Sequence, residues 1–76
     1  MTGVQPFALP TSKLLNNLEI VRRRSGLTQA QLSQAAGVSR KSINAIENGL
    51  YVPSTVLSLK IARALECELE DLFRLP

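Results

Sequence analysis

Residues 26–54 read GLTQAQLSQAAGVSRKSINAIENGLYVPS, and this stretch decides the fold. Thr28 suits a helix N-cap, and Gln31 three residues later completes a capping-box pattern. Leu32, Ala35 and Ala36 make the inward stripe of the helix that follows, and Gly37 ends it. Only Val38 separates Gly37 from Ser39, a second N-cap. The next helix spans about 39–48, turns Ile43 and Ile46 inward, and stops at Asn48-Gly49. Two helices joined by a short Gly-containing turn form a helix-turn-helix. The tight turn lets one helix brace across a phosphate backbone while the other projects into the major groove. Ala35, Ala36 and Gly37 stand where small residues allow close approach, and Val38 plugs the space beneath the turn.

The second helix exposes a particular chemistry. Its first turn is Ser39-Arg40-Lys41-Ser42, and Asn44 lies on the same outward side as Arg40. With Ile43 and Ile46 inside, the solvent face is Arg40, Lys41, Asn44 and Ala45. Arg and Lys match guanine O6 and N7, and Asn matches adenine N6 and N7. Cations at a helix N-terminus oppose the helix dipole, so a purely structural helix would carry Asp or Glu there. The cationic turn points to an anionic partner. The alternative is an ordinary solvated face, and the surrounding turn pattern weighs against it.

Outward from this centre the chain reads as helices with short punctuation. One helix spans about 13–25, with Leu14, Leu18 and Val21 at helical spacing and Gly26 behind it. The loop Leu50-Tyr51-Val52-Pro53 leads to a helix over about 54–65 capped by Ser54, then a short one over about 68–74. No strand pattern and no internal repeat is present in the sequence. The expected fold is all-α: a compact five-helix bundle over residues 13–76. Residues 1–12 hold Pro6 and Pro10 and no charge, which reads as an extended arm or a loose tail. The fourth helix carries Val56, Leu57, Leu59, Ile61, Ala62 and Leu65, an apolar surface wider than one stripe. Such a helix needs two burial partners. The core is one. The second is a twin subunit, contacted through Leu59, Leu69, Leu72, Phe73 and Phe7 of the arm, or else the arm itself in a monomer.

Composition excludes much else. The chain has 76 residues, no His and one Cys (Cys67), so no His-based triad, metal cluster or intrachain disulfide is expected. No cofactor is implied, and Ser, Thr and Cys67 lack a base partner for enzymatic chemistry. Net charge is +3, yet residues 1–65 carry eight Lys/Arg against Glu19 and Glu47. Residues 66–76 carry Arg74 against Glu66, Glu68, Glu70 and Asp71. A basic domain with an acidic end is a candidate for nucleic acid. No apolar run approaches the roughly 20 residues that cross a bilayer. No signal peptide is visible, so the expected location is the cytoplasm, at the nucleoid.

The stretch quoted above, continued through KIARALECELEDLF, resembles the Cro/phage-repressor (Xre) family of DNA-binding domains over about residues 14–74. The motifs L-T-Q-x-x-L, G-V-S-R, I-x-x-I-E-N-G and P-S are specific as a set. The resemblance implies a five-helix domain whose third helix reads duplex DNA. It places Arg40, Lys41 and Asn44 at base- or groove-facing positions. Gln29, Ser39, Ser42, Asn48 and Tyr51 fall at positions that touch the phosphate backbone, with Ser42 also near bases. Ala45 departs from relatives with a longer polar residue there, and its methyl could meet a thymine methyl. Arg22 and Glu47 match a largely buried salt bridge between the first and third helices. Arg23 and Arg24 are solvated or phosphate-facing. The function implied is a homodimeric transcription regulator, a repressor, on a palindromic operator. The alternatives are the antitoxin of a toxin–antitoxin pair, with a toxin as protein partner, or the DNA-binding part of a larger ligand-responsive regulator. A protein adaptor that leaves DNA alone fits poorly with Arg40 and Lys41.

Overall fold

Hydroxyl caps set where three of the helices begin. The computed structural model describes residues 14–76, so the arm over 1–12, with Phe7, lies outside the described residues. Five helices follow in order: α1 Leu18–Arg24, α2 Gln29–Ala36, α3 Arg40–Glu47, α4 Thr55–Ala64 and α5 Leu69–Leu72. The Gln31 N–H donates to Thr28 Oγ1 at 3.0 Å and the Thr28 N–H to Gln31 Oε1 at 2.9 Å, a complete capping box. Ser39 Oγ accepts from the Ser42 N–H at 3.0 Å, and Ser54 Oγ from the Leu57 N–H at 3.1 Å. Gly37 ends α2 at φ 71°, a left-handed conformation. A Cβ there would meet nothing within 4 Å, so backbone conformation and not lack of space is what calls for Gly37.

The first helix starts later than its leucine spacing suggests. Leu15–Asn16 forms a short strand, β1, antiparallel to β2 at Phe73–Arg74, with Leu15 opposite Arg74 and Asn16 opposite Phe73. Asn16 is the cause. Its Oδ1 accepts from the Leu18 N–H at 3.0 Å, taking a backbone donor that a longer first helix would use, and its Nδ2 donates to the Ile46 carbonyl of α3 at 2.6 Å, which anchors the segment outside α1. The ladder also ends α5 at Leu72, short of the expected residue 74.

Leu18, Leu32, Ile43, Ile46, Ile61 and Leu72 are fully buried, with Ala62, Leu65 and Phe73 beside them. Val21, Ala36, Val38 and Leu57 pack against this centre half-buried. Two expectations are corrected here. Ala35 is exposed: α2 offers only the narrow line Leu32–Ala36 to its neighbours, and Ala35 falls outside it. Ser58, a polar residue outside the apolar set expected to cover α4, is buried, whereas Val56 and Leu59 from that set are exposed. No helix among the described residues is long and apolar enough to cross a membrane.

Candidate nucleic-acid interface

α3 is held from beneath by an ion pair. Arg22 Nε donates to Glu47 Oε2 at 2.6 Å and Arg22 Nη2 to Glu47 Oε1 at 3.1 Å, a bidentate arrangement joining α1 to α3. The two side chains retain only 8% and 3% of their accessible surface. Arg22 Nη1 donates to the Leu27 carbonyl at 2.8 Å, which ties the same guanidinium to the α1–α2 turn. Hydrogen bonding to Glu47 pushes the Arg22 pKa above its ordinary value, outweighing burial, so the arginine stays charged. Glu47 is therefore neutralised inside the protein, away from any anionic ligand.

Above this pair the outward face of α3 is cationic and free. Arg40, Lys41 and Asn44 are exposed, and neither Arg40 nor Lys41 takes part in a salt bridge among the described residues. A shallow groove of about 380 Å³ runs between the start of α2 and α3, lined by Gln29, Arg40, Lys41 and Asn44. The sequence-derived base-facing residues thus converge on one groove, with Gln29 from the other helix. By contrast Arg23 pairs with Glu19 at 2.9 Å on the surface of α1, while Arg24 is exposed.

The expected backbone-gripping residues divide into two kinds. Ser39 Oγ donates to Ser42 Oγ at 2.9 Å, which leaves the Ser42 hydroxyl hydrogen available to a ligand. Tyr51 is exposed, and the N–H groups of Tyr51 and Val52 donate to no protein group among the described residues. Gln29 and Asn48 behave differently. Gln29 Nε2 donates to Glu47 Oε1 at 2.9 Å and Asn44 Oδ1 at 3.3 Å. Asn48 Nδ2 donates to the Asn44 carbonyl at 2.9 Å and Asn44 Oδ1 at 3.2 Å. Both amides have their hydrogens engaged internally, and in this arrangement neither has one left for a phosphate oxygen. The Gln29 links depend on two helices meeting, which no spacing within one helix announces, whereas Asn44 and Asn48 form an i, i+4 pair.

The expected subunit contact also divides. Leu59 is exposed and Leu69 half-buried, but Leu72 has no accessible surface and Phe73 only 9%. Those two side chains serve the core of their own chain and offer a partner almost nothing. Leu75 is exposed and lines a groove of about 530 Å³ together with Leu14, Pro53 and Leu69, and Val56 of α4 is exposed as well.

Comparison with known proteins agrees with this geometry. The helix-turn-helix family profile matches residues 18–72. An HTH-type transcriptional regulator of Bacillus subtilis, YgzD, is 43% identical over 58 residues, covering 76% of this chain and 88% of that protein. One from Methanothermobacter thermautotrophicus is 49% identical over 53 residues, covering 68% and 77% respectively. Among solved structures, the restriction-modification controller protein C.AhdI from Aeromonas hydrophila superposes with a TM-score of 0.72 at 35% identity, covering 75% of this chain and 86% of its own.

Proposed function

This chain belongs to the helix-turn-helix family of DNA-binding transcription regulators, and from that premise we propose that it is a homodimeric repressor acting on a two-fold-symmetric DNA operator. The observation that carries the reading is the free cationic edge of α3: Arg40 and Lys41 are exposed beside Asn44, and neither pairs with an acid among the described residues. α3 enters the major groove, where Arg40 and Lys41 suit guanine O6 and N7. The Ser42 hydroxyl and the backbone N–H groups of Tyr51 and Val52 hold the phosphates on either side and fix the register. Arg22 and Glu47 set the angle of α3 without touching the ligand. The twin subunit covers Val56, Leu59 and Leu69, so that two α3 helices reach half-sites about 34 Å apart. Binding at a promoter then excludes polymerase without any catalytic step, in the cytoplasm at the nucleoid.

Selection from a random duplex pool with the purified protein tests this directly. The expected product is a palindromic motif, bound with an affinity that falls steeply as salt rises. Sedimentation at micromolar concentration should show a dimer. A motif without two-fold symmetry, or a strictly monomeric species, would remove the dimeric-operator part of the reading. Absence of any enriched motif would remove the reading itself.

A further inference from the structure

The side chain of Asn44 sits at the outer end of a hydrogen-bond relay that starts at the buried ion pair. Glu47 holds a carboxylate, which can only accept. Gln29 lies 2.9 Å from Glu47 Oε1 and so must present its nitrogen there. The second hydrogen on that nitrogen faces Asn44 at 3.3 Å, where it requires an acceptor, and the Asn44 oxygen supplies it. A separate chain gives the same answer. Asn48 Nδ2 donates at 2.9 Å to the main-chain carbonyl of Asn44, again an acceptor by necessity. Its other hydrogen reaches Asn44 Oδ1 at 3.2 Å. Both acceptor sites of Oδ1 are filled from within the protein. Asn44 Nδ2 donates to no protein group among the described residues, and the residue is exposed beside Arg40 in the α3 groove.

We propose that Asn44 is a donor-only specificity residue: it selects a base edge made of acceptors, guanine O6 and N7, in place of the adenine N6/N7 pair that an unconstrained asparagine recognises. Gln29 and Asn48 are the positioning residues that impose this polarity. The inference rests on α3 reading the major groove as described above. Pairing with adenine needs Oδ1 to face the N6 amino group. That requires the amide to flip, which turns Nδ2 against the hydrogens of Gln29 and Asn48. Donor would then face donor in an interface from which water has been removed, and such unpaired groups are strongly disfavoured. Guanine requires no flip. Arg40, one turn earlier on the same face, also suits guanine, so the half-site carries guanine where these two residues touch it.

The test compares pool selections by the wild type, N44A, N44D and the double variant Q29M/N48A. The base pair whose preference disappears in N44A is the one Asn44 reads. At that pair the wild type should favour guanine over adenine by roughly tenfold. N44D, nearly the same shape but with an outward acceptor, should turn the preference toward cytosine N4. Q29M/N48A frees the amide and should bring adenine to within a few-fold of guanine, while the preference at the Arg40 pair stays unchanged. Adenine at the Asn44 pair in the wild type overturns the proposal. So does a double variant that selects as the wild type does, or an N44A pool identical to the wild-type pool. A wild type that enriches nothing overturns the DNA reading as well, and is distinguishable from those outcomes. One measurement needs no variant: in the free protein, the Asn44 side-chain amide hydrogens should exchange with water faster than those of Gln29 and Asn48. Equal rates at the three residues contradict the relay.

Discussion

The α2–α3 edge and the α5 end of this molecule place charge by opposite rules. At the start of α5, Glu70 and Asp71 occupy the first turn, and the Glu68 N–H donates to Asp71 Oδ2 at 2.8 Å. Negative charge there agrees with the helix dipole. At the start of α3 the first turn holds Arg40 and Lys41 and no acid, which the dipole opposes. Both helices are short and both rest on the same core. The difference teaches that charge at α5 stabilises the helix that carries it, whereas charge at α3 works against its own helix and is accounted for by the proposed contact with DNA. The basic end remains open to an anion, and the acidic end lies in a separate stretch of the chain.

The largest expected effect concerns the support beneath the α3 edge. Glu47→Ala leaves the Arg22 guanidinium buried with the Leu27 carbonyl as its remaining protein acceptor. Loss of one member of such a pair costs about 3–5 kcal/mol. Urea unfolding followed by circular dichroism measures it. The pair Arg23–Glu19 is the internal control, since its side chains are 69% and 48% exposed. Glu19→Ala should change stability by less than about 0.5 kcal/mol. Similar losses for the two substitutions would show that α3 is not held by its ion pair.

Next comes the contrast in ligand binding. Arg40→Ala should weaken binding to the selected operator by about 1–3 kcal/mol and relax preference at one base pair. Glu70→Gln, at the acidic end, should leave both unchanged. Titration of labelled duplexes, specific and random, separates the cases. Equal losses on the two duplexes for Arg40→Ala would make that residue a phosphate contact.

What the residues disclosed in advance follows the same division. The two caps at Thr28 and Ser39, the stop at Gly37 and the inward Ile43 and Ile46 all depend on neighbours within a few positions, and each could be read locally. The outward Arg40, Lys41 and Asn44 followed from that placement. Features set by distant contacts could not be read. Asn16 looked like the interior of a helix until its amide met the Ile46 carbonyl, 30 residues away. Leu72 and Phe73 were expected at the subunit contact, but both are buried in their own chain, with Phe73 paired to Asn16 in the short ladder. The Gln29 links of the Gln29–Asn44–Asn48 relay need two helices at a known crossing, which spacing alone does not supply.

A smaller effect belongs to the acidic end. Glu66 follows α4 with φ 54°, a left-handed conformation that costs a non-glycine residue about 1–2 kcal/mol. The Cys67 N–H donates to the Ala62 carbonyl at 3.1 Å across this turn, so the conformation is held by the helix ending. Glu66→Gly removes the strain but loosens the unfolded chain, for a net gain of about 0.5–1 kcal/mol. Thermal unfolding should show a higher midpoint. A lower one would mean that the Glu66 carboxylate contributes to this end more than its backbone strain takes away.

The smallest effect is a slope with pH. Burial pushes the Cys67 thiol above its ordinary value of 9.0, and the nearby charges of Asp71 and Glu68 push it the same way. The folded protein therefore keeps the thiol proton at a pH where the unfolded chain has released it. The sign follows: the contribution is fully present below about pH 9 and is lost as pH rises from the unfolded value through the raised folded one. Comparing wild type with Cys67→Ala between pH 7 and 10 isolates this contribution from everything else that the two proteins share. The wild type should lose more stability across that interval than the variant. Parallel curves would mean that the acidic end does not hold this thiol protonated, and the electrostatic difference between the two ends would then be confined to their surfaces.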